Sequence, residues 1–168
     1  MVTVEQIMEL LHLRPLPAEG GYYAESYRAV EAVPAAGLPE RYGGPRAHGT
    51  AIYYLLVPGE CSRLHRLRTD EVWHFYLGDP VEMLQLGPAG AGQMLQIGAD
   101  LAAGQRPQVV VPRGTWMGAR LAAGGRCALL GTTMAPGFDA TDFEAGRRQE
   151  LLAAYPAFRE AILALTEG

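Results

Sequence analysis

The feature that most constrains this chain is a series of short apolar runs between residues 51 and 134, separated by glycine and proline turns. Runs of this length, at intervals of about 8–12 residues, are typical of the strands of a β-sandwich or barrel. No helical pattern alternates with the runs, which excludes a doubly wound parallel sheet. The runs span residues 51–57, 61–67, 71–77, 81–86, 93–97, 108–111, 115–121 and 127–134.

Helical patterns flank this region on both sides. Residues 3–13 carry apolar side chains at helical spacing, and Thr3 and Gln6 are spaced as a capping box. A strand over residues 22–28 follows. After the barrel, Thr141 or Asp142 is expected to cap a helix that reaches about residue 154, and a last helix starts at Pro156.

We therefore expect a single domain over residues 1–168, with an N-terminal helix and strand over 3–28, a barrel over about 50–134 and C-terminal helices over about 142–166. The segment 33–49 is rich in proline, glycine and charged residues. This composition predicts a long mobile flap.

Composition excludes several classes of function. The 14 basic residues are all arginine, so Schiff-base, pyridoxal-phosphate and P-loop chemistry that needs lysine is excluded. A formal net charge of −4 disfavours nucleic acid and anionic membranes as partners. No apolar stretch is long enough for a membrane span and no signal peptide is visible, so a cytoplasmic protein is expected. Cys61 and Cys127 are too far apart for a metal knuckle and are expected to be small core residues.

One segment carries the candidate chemistry. Residues 59–78 read GECSRLHRLRTDEVWHFYLG, in which His65, Glu71 and Gly78 follow Gly59 at the spacing of the first cupin motif. The segment resembles that motif, with Leu67 at the position of its second histidine. Residues 111–117 resemble the second cupin motif, with Met117 at the position of its histidine.

Four segments in the same order narrow the resemblance: EGGYYAESYR, SRLHRLRTDEVWHFYLGDP, VPRGTW and APGFDATDFE. Together they resemble the Cupin_5 (DUF985) group of small, mostly uncharacterised proteins, over about residues 7–143. The resemblance implies a mainly β fold, the double-stranded β-helix or RmlC-like jelly roll of the deoxysugar 3,5-epimerases, with an N-terminal helix and C-terminal helices. It also implies a homodimer in which an N-terminal strand crosses to the partner.

The motif register supplies only two metal ligands, His65 and Glu71, whereas a catalytic metal site needs about three. His74 is a third candidate, although strand alternation turns it away from Trp73 unless a β-bulge intervenes. No cofactor is therefore expected, and a divalent metal at His65, Glu71 and His74 stays open as the alternative.

Alternation along the strand also predicts the remaining site residues. Arg63 and His65 share one face, and Glu71 is expected to reach the same interior with Trp73 on its wall. His65 would act as a base oriented by Glu71, and Arg63 would hold an anionic group. His74, Trp116 and Met117 are further candidates for ligand contact. Both tryptophans could instead be packing residues, and His65 could be purely structural.

Three functions are compatible with these residues. The first is a barrel that binds a small polar organic molecule, as a metal-independent isomerase or epimerase on a carbohydrate-type substrate. The epimerases that the fold resembles also use a lysine, which this chain lacks. The second is a divalent-metal-dependent cupin enzyme, an oxygenase or hydrolase. The third is a non-catalytic ligand-binding barrel. The expected partners are a small molecule and a second copy of the chain.

Overall fold

The computed structural model describes residues 2–167, and its strands form two large antiparallel sheets and one small one. The strands are β1 (Arg14–Pro15), β2 (Tyr22–Arg28), β3 (Ala32–Val33), β4 (Arg46–Ala47), β5 (Thr50–Leu56), β6 (Cys61–Arg66), β7 (Glu71–Gly78), β8 (Val81–Leu86), β9 (Gly92–Ile97), β10 (Gln108–Val111), β11 (Trp116–Leu121), β12 (Ala128–Met134) and β13 (Glu144–Ala145). The α-helices are α1 (Val4–Leu10), α2 (Arg148–Ala154) and α3 (Arg159–Ala164).

The two large sheets enclose the main core. One sheet has the order β1-β2-β5-β12-β7-β10 and the other β13-β6-β11-β8-β9. Alternate residues of each strand point between them, and Tyr54, Trp73 and Leu130 are fully buried there. The mainly β, jelly-roll arrangement with helices near both ends, predicted from the sequence, is confirmed.

The helices cover parts of the outer faces. Helix α1 packs on Leu55 and Leu129, on the outer side of the six-stranded sheet. Helices α2 and α3 pack on Leu64, Leu84 and Leu86, which project outward from the five-stranded sheet. These contacts explain why single strands carry apolar residues on both faces. No helix within residues 2–167 has the length and apolar character that crossing a membrane requires.

The nine strands predicted over residues 22–28 and 51–134 agree with the structure to within one residue at each end, because glycine and proline turns separate the runs. The two-residue strands β1, β3, β4 and β13 were not predicted. The Thr3–Gln6 capping box is also confirmed, although α1 ends at Leu10 rather than at residue 13. The predicted helix start at Thr141 or Asp142 is wrong, because residues 140–142 form a 3-10 turn capped by Asp139 and α2 begins only at Arg148. Asp142 has another role, since its buried carboxylate pairs with Arg46.

The expected mobile flap over residues 33–49 is instead anchored to the barrel. Strands β3 and β4 pair within it, and Tyr42 is buried. The guanidinium of Arg46 donates to both carboxylate oxygens of Asp142, from Nε at 2.8 Å and from Nη2 at 2.6 Å. Both side chains are almost fully buried, so the pair ties this segment to the loop before β13.

Candidate functional site

Strand β7 places a buried carboxyl group at the inner end of a cavity. Glu71 and Trp73 both point inward, and the Trp73 indole N–H donates to Glu71 Oε2 at 2.7 Å. Burial and, to a lesser extent, the nearby Glu19 carboxylate together raise the pKa of Glu71 to about 6. The charge of His65 and hydrogen bonds from Trp73 and Thr132 act in the opposite direction. Glu71 is thus poised to exchange a proton near neutral pH.

Strand β6 contributes a histidine whose ring orientation is set by the backbone. His65 Nδ1 lies 2.7 Å from the carbonyl oxygen of Arg63. A carbonyl only accepts hydrogen bonds, so Nδ1 carries the proton, and in the neutral ring Nε2 is the free acceptor. Nε2 lies 3.9 Å from Glu19 Oε2, which is too far for a direct hydrogen bond, and the two groups form an ion pair only when the ring is protonated.

Glu19, which the sequence reasoning did not identify as a site residue, lies in the turn before β2. The Ser62 hydroxyl donates to Glu19 Oε1 at 2.7 Å, which leaves Oε2 facing His65. Gly20 has a φ of +97° and packs against the carbonyl of Cys61, where a Cβ atom would collide. The position of Glu19 directly before the glycine pair of EGGYYAESYR is the signal that could have identified it.

These groups meet at a cavity of about 470 Å³ that contains the carboxyl groups of both Glu19 and Glu71. His65 lies behind the wall, with its ring stacked on Phe143 at a centroid distance of 5.0 Å. Most of the remaining wall is apolar, with the ion pair of Glu25 and Arg28 on one side. The other lining residues are Leu16, Ala18, Tyr23, Thr50, Ile52, Leu67, Thr132, Met134, Phe138 and Ala140.

The structure brings His65, Glu71 and Trp73 together, but it places Arg63 outside the cavity. Ser62 pairs with Ala119 and His65 pairs with Met117, so Arg63 and Leu64 stand opposite the single residue Gly118. This β-bulge reverses the alternation between Arg63 and His65. The Arg63 guanidinium instead donates to the carbonyl of Pro17 at 3.1 Å and pairs with Glu167 at 2.7 Å. The predicted convergence of Arg63 with His65 is therefore wrong.

The other candidates for ligand contact also lie away from the cavity. His74 points to the outer face of its sheet, where Nε2 lies 2.9 Å from the hydroxyl of Thr133. Trp116 points outward beneath Arg66, whose guanidinium carbon lies 4.4 Å from the centroid of its ring. Met117 packs in the apolar core, and the fully buried Trp73 holds Glu71 rather than forming a wall.

The donor set does not fit a three-ligand metal site. Leu67 lines the cavity and Met117 packs in the core, at the two positions where the cupin motifs have histidines. In the part of the chain that the structure describes, no three His, Cys, Asp or Glu side chains form a group that could hold a metal ion. The sequence alternative that uses His74 fails as well, because His74 lies on the opposite face of its strand from Glu71.

Comparisons with known proteins agree with this fold. The family model of Cupin_5, described as Cupin superfamily (DUF985), matches residues 5–146. A crystal structure of a Shewanella oneidensis protein is 35% identical with a TM-score of 0.87, and a hypothetical protein from Leishmania major is 31% identical with a TM-score of 0.88. Each match covers 99% of both chains.

A more distant similarity concerns the fold alone. The oxalate decarboxylase of Bacillus subtilis is 16% identical with a TM-score of 0.55, over 95% of this chain and 38% of that one. No curated protein matches the chain. The family match over most of the chain confirms the resemblance seen in its motifs: the chain belongs to the Cupin_5 (DUF985) family of the cupin superfamily.

Proposed function

We propose that the chain binds a small polar organic molecule of carbohydrate type in the cavity. Glu71 removes a proton from this molecule and returns it, so that the protein acts as an isomerase or epimerase without a metal. The observation that carries this proposal is the buried carboxyl group of Glu71 in the lining of an otherwise largely apolar cavity, where burial raises its pKa to about 6. A group with such a pKa both accepts and returns a proton at neutral pH. The apolar wall suits the C–H faces of a sugar ring.

In the proposed reaction Glu71 moves the proton, and His65 and Glu19 set the charge around it. The Glu71 carboxylate takes the proton from the carbon next to a carbonyl, and the bonding electrons move to the carbonyl oxygen. A protonated His65, whose Nε2 lies 3.9 Å from Glu19 Oε2, would stabilise the developing oxyanion electrostatically from behind the cavity wall. Return of a proton to carbon completes the isomerisation. In this scheme Glu71 is the base, whereas the sequence reasoning gave that role to His65.

Solvent exchange tests the proton transfer. A panel of aldoses and ketoses is first screened for compounds that raise the melting temperature, because a ligand that binds only the folded state stabilises it. The bound compounds are then incubated with the protein in D2O. We expect deuterium at the carbon next to the carbonyl with the unsubstituted protein, and a rate about 100-fold lower with Glu71→Gln.

The control is Glu9→Gln, at an exposed position of α1, which should exchange at the unsubstituted rate. Equal rates for Glu71→Gln and the unsubstituted protein would contradict the proposal. Binding without exchange would favour the non-catalytic barrel. A rate abolished by a chelator and restored by a divalent ion would favour the metal-dependent alternative.

We also propose that a second copy of the chain covers the outer face of the six-stranded sheet. Tyr27, Tyr76 and Val110 project from β2, β7 and β10 on this face and are 58%, 49% and 52% exposed. Helix α1 covers only the part around Leu55 and Leu129. A homodimer would remove this partly aromatic face from water.

A further inference from the structure

A second cleft, of about 400 Å³, lies against the outside of the cavity wall. Leu67 and Phe143 line both the cleft and the cavity, so the two spaces adjoin at these side chains. The His65 ring stacks on Phe143. The four arginines that line the cleft are Arg41, Arg66, Arg68 and Arg113.

Three of these arginines lack a carboxylate of their own. The Arg41 guanidinium donates to the carbonyl of Arg68 and to the hydroxyl of Tyr42. Arg68 donates to the carbonyl of Arg41, and its Nε lies 4.0 Å from Asp142, whose two oxygens already accept from Arg46. The Arg113 side chain has no hydrogen-bond or ion-pair partner among the described residues.

The acidic groups at the cleft offset part of this positive charge and leave a small excess. Arg66 and Glu144 neutralise each other through two hydrogen bonds of 2.8 Å. Two further acidic side chains are bonded to cleft residues: Asp70 accepts from the backbone N–H of Arg113 at 2.7 Å, and Asp139 accepts from the backbone N–H and the hydroxyl of Thr141. A net charge of −4 for the chain makes such a local excess of positive charge unusual.

The cleft is also held in place before any ligand arrives. The reciprocal hydrogen bonds between Arg41 and Arg68 join the segment 33–49 to the turn between β6 and β7. The buried pair of Arg46 and Asp142 joins the same segment to the loop before β13. Side chains that are already ordered lose less conformational entropy on binding, which favours affinity.

We propose that this arginine cleft binds the phosphate group of the substrate while the carbon skeleton of the same molecule occupies the cavity, so that the substrate is a phosphate monoester of carbohydrate type. A phosphate monoester carries a charge of about −1.5 to −2 and three acceptor oxygens, which match three guanidinium groups better than a carboxylate does. Because the cleft and the cavity adjoin at Leu67 and Phe143, one extended molecule at this junction is within reach of both. The inference rests on the proposed function of the cavity.

The test measures binding of inorganic phosphate, of sugar phosphates and of the parent sugars by calorimetry. We expect the sugar phosphates to bind more tightly than either their parent sugars or inorganic phosphate. Arg113→Gln should weaken phosphate binding about tenfold, because it removes a charged donor. Arg159→Gln, at an exposed arginine of α3, should leave binding unchanged. Both variants should keep the unfolding midpoint of the unsubstituted protein when no ligand is present.

Two outcomes would overturn the inference: phosphate binding by Arg113→Gln as tight as that of the unsubstituted protein, or sugar phosphates that bind no better than inorganic phosphate. Glu71→Gln separates the two proposals, because it should slow proton transfer about 100-fold and keep phosphate binding. Unchanged proton transfer in Glu71→Gln would contradict the proposed function alone. Unchanged phosphate binding in Arg113→Gln would contradict the cleft assignment alone.

Discussion

The buried carboxyl group of Glu71 makes the stability of this fold depend on pH at the scale of a single residue. Its pKa rises from an ordinary value of 4.5 to about 6 on folding, so the folded state binds the proton more tightly than the unfolded chain does. The stabilisation is fully present below pH 4.5 and is lost as the pH rises through about 6. The shift corresponds to about 2 kcal/mol in the free energy of unfolding.

Glu71→Gln removes this titration and keeps an acceptor for the Trp73 indole N–H. At pH 8 we expect the variant to be more stable than the unsubstituted protein by up to about 2 kcal/mol, with the difference vanishing below about pH 4.5. Urea unfolding at both pH values measures this difference, with Glu9→Gln as the exposed control. A variant that is less stable at pH 8 would show that hydrogen bonds to the ionised carboxylate outweigh the cost of its burial.

At the scale of elements, the anchor of the segment 33–49 is the pair of Arg46 and Asp142. Arg46→Gln leaves the Asp142 carboxylate buried without its charged partner, which costs about 3–5 kcal/mol in comparable buried pairs. We expect a loss of about 3 kcal/mol in the free energy of unfolding, because Arg68 Nε, 4.0 Å from Asp142, compensates in part.

Denaturant unfolding measures this loss, and Arg106→Gln is the control, since that exposed side chain bonds only to backbone carbonyls. A loss below about 1 kcal/mol, the range of surface pairs, would mean that other contacts anchor the segment.

At the scale of the whole molecule, the proposed homodimer predicts a sedimenting species of twice the chain mass of 18.1 kDa at micromolar concentration. Val110→Glu places a charge on the proposed interface and should shift the equilibrium to the monomer. Leu101→Glu is a matched control, because Leu101 is 63% exposed and belongs to the turn after β9 rather than to this face. A monomer for the unsubstituted protein, or a Val110→Glu variant that dimerises equally well, would refute the proposed interface.

The sequence by itself determined the nine longer strands and the side of β7 that faces inward. Apolar runs between glycine and proline turns define strand ends locally, and a period of two places Glu71 and Trp73 inside and His74 outside without reference to any other strand. The capping box of α1 is local in the same sense. Residue spacing was sufficient for these features because each depends on neighbours a few positions away.

Only the tertiary structure decided which charged groups surround Glu71. The bulge in β6 depends on the pairing with Gly118, and it turns Arg63 outward while Ser62 and His65 face Glu19. Glu19 reaches the cavity because Gly20 packs against Cys61, a contact between residues about 40 positions apart. Arg46 and Asp142, 96 positions apart, form a pair that anchors the segment predicted to be a mobile flap. The same pair holds Asp142 at the position where the sequence predicted a helix start. Such contacts depend on the register between strands and on packing across the barrel, and no spacing along one strand encodes them.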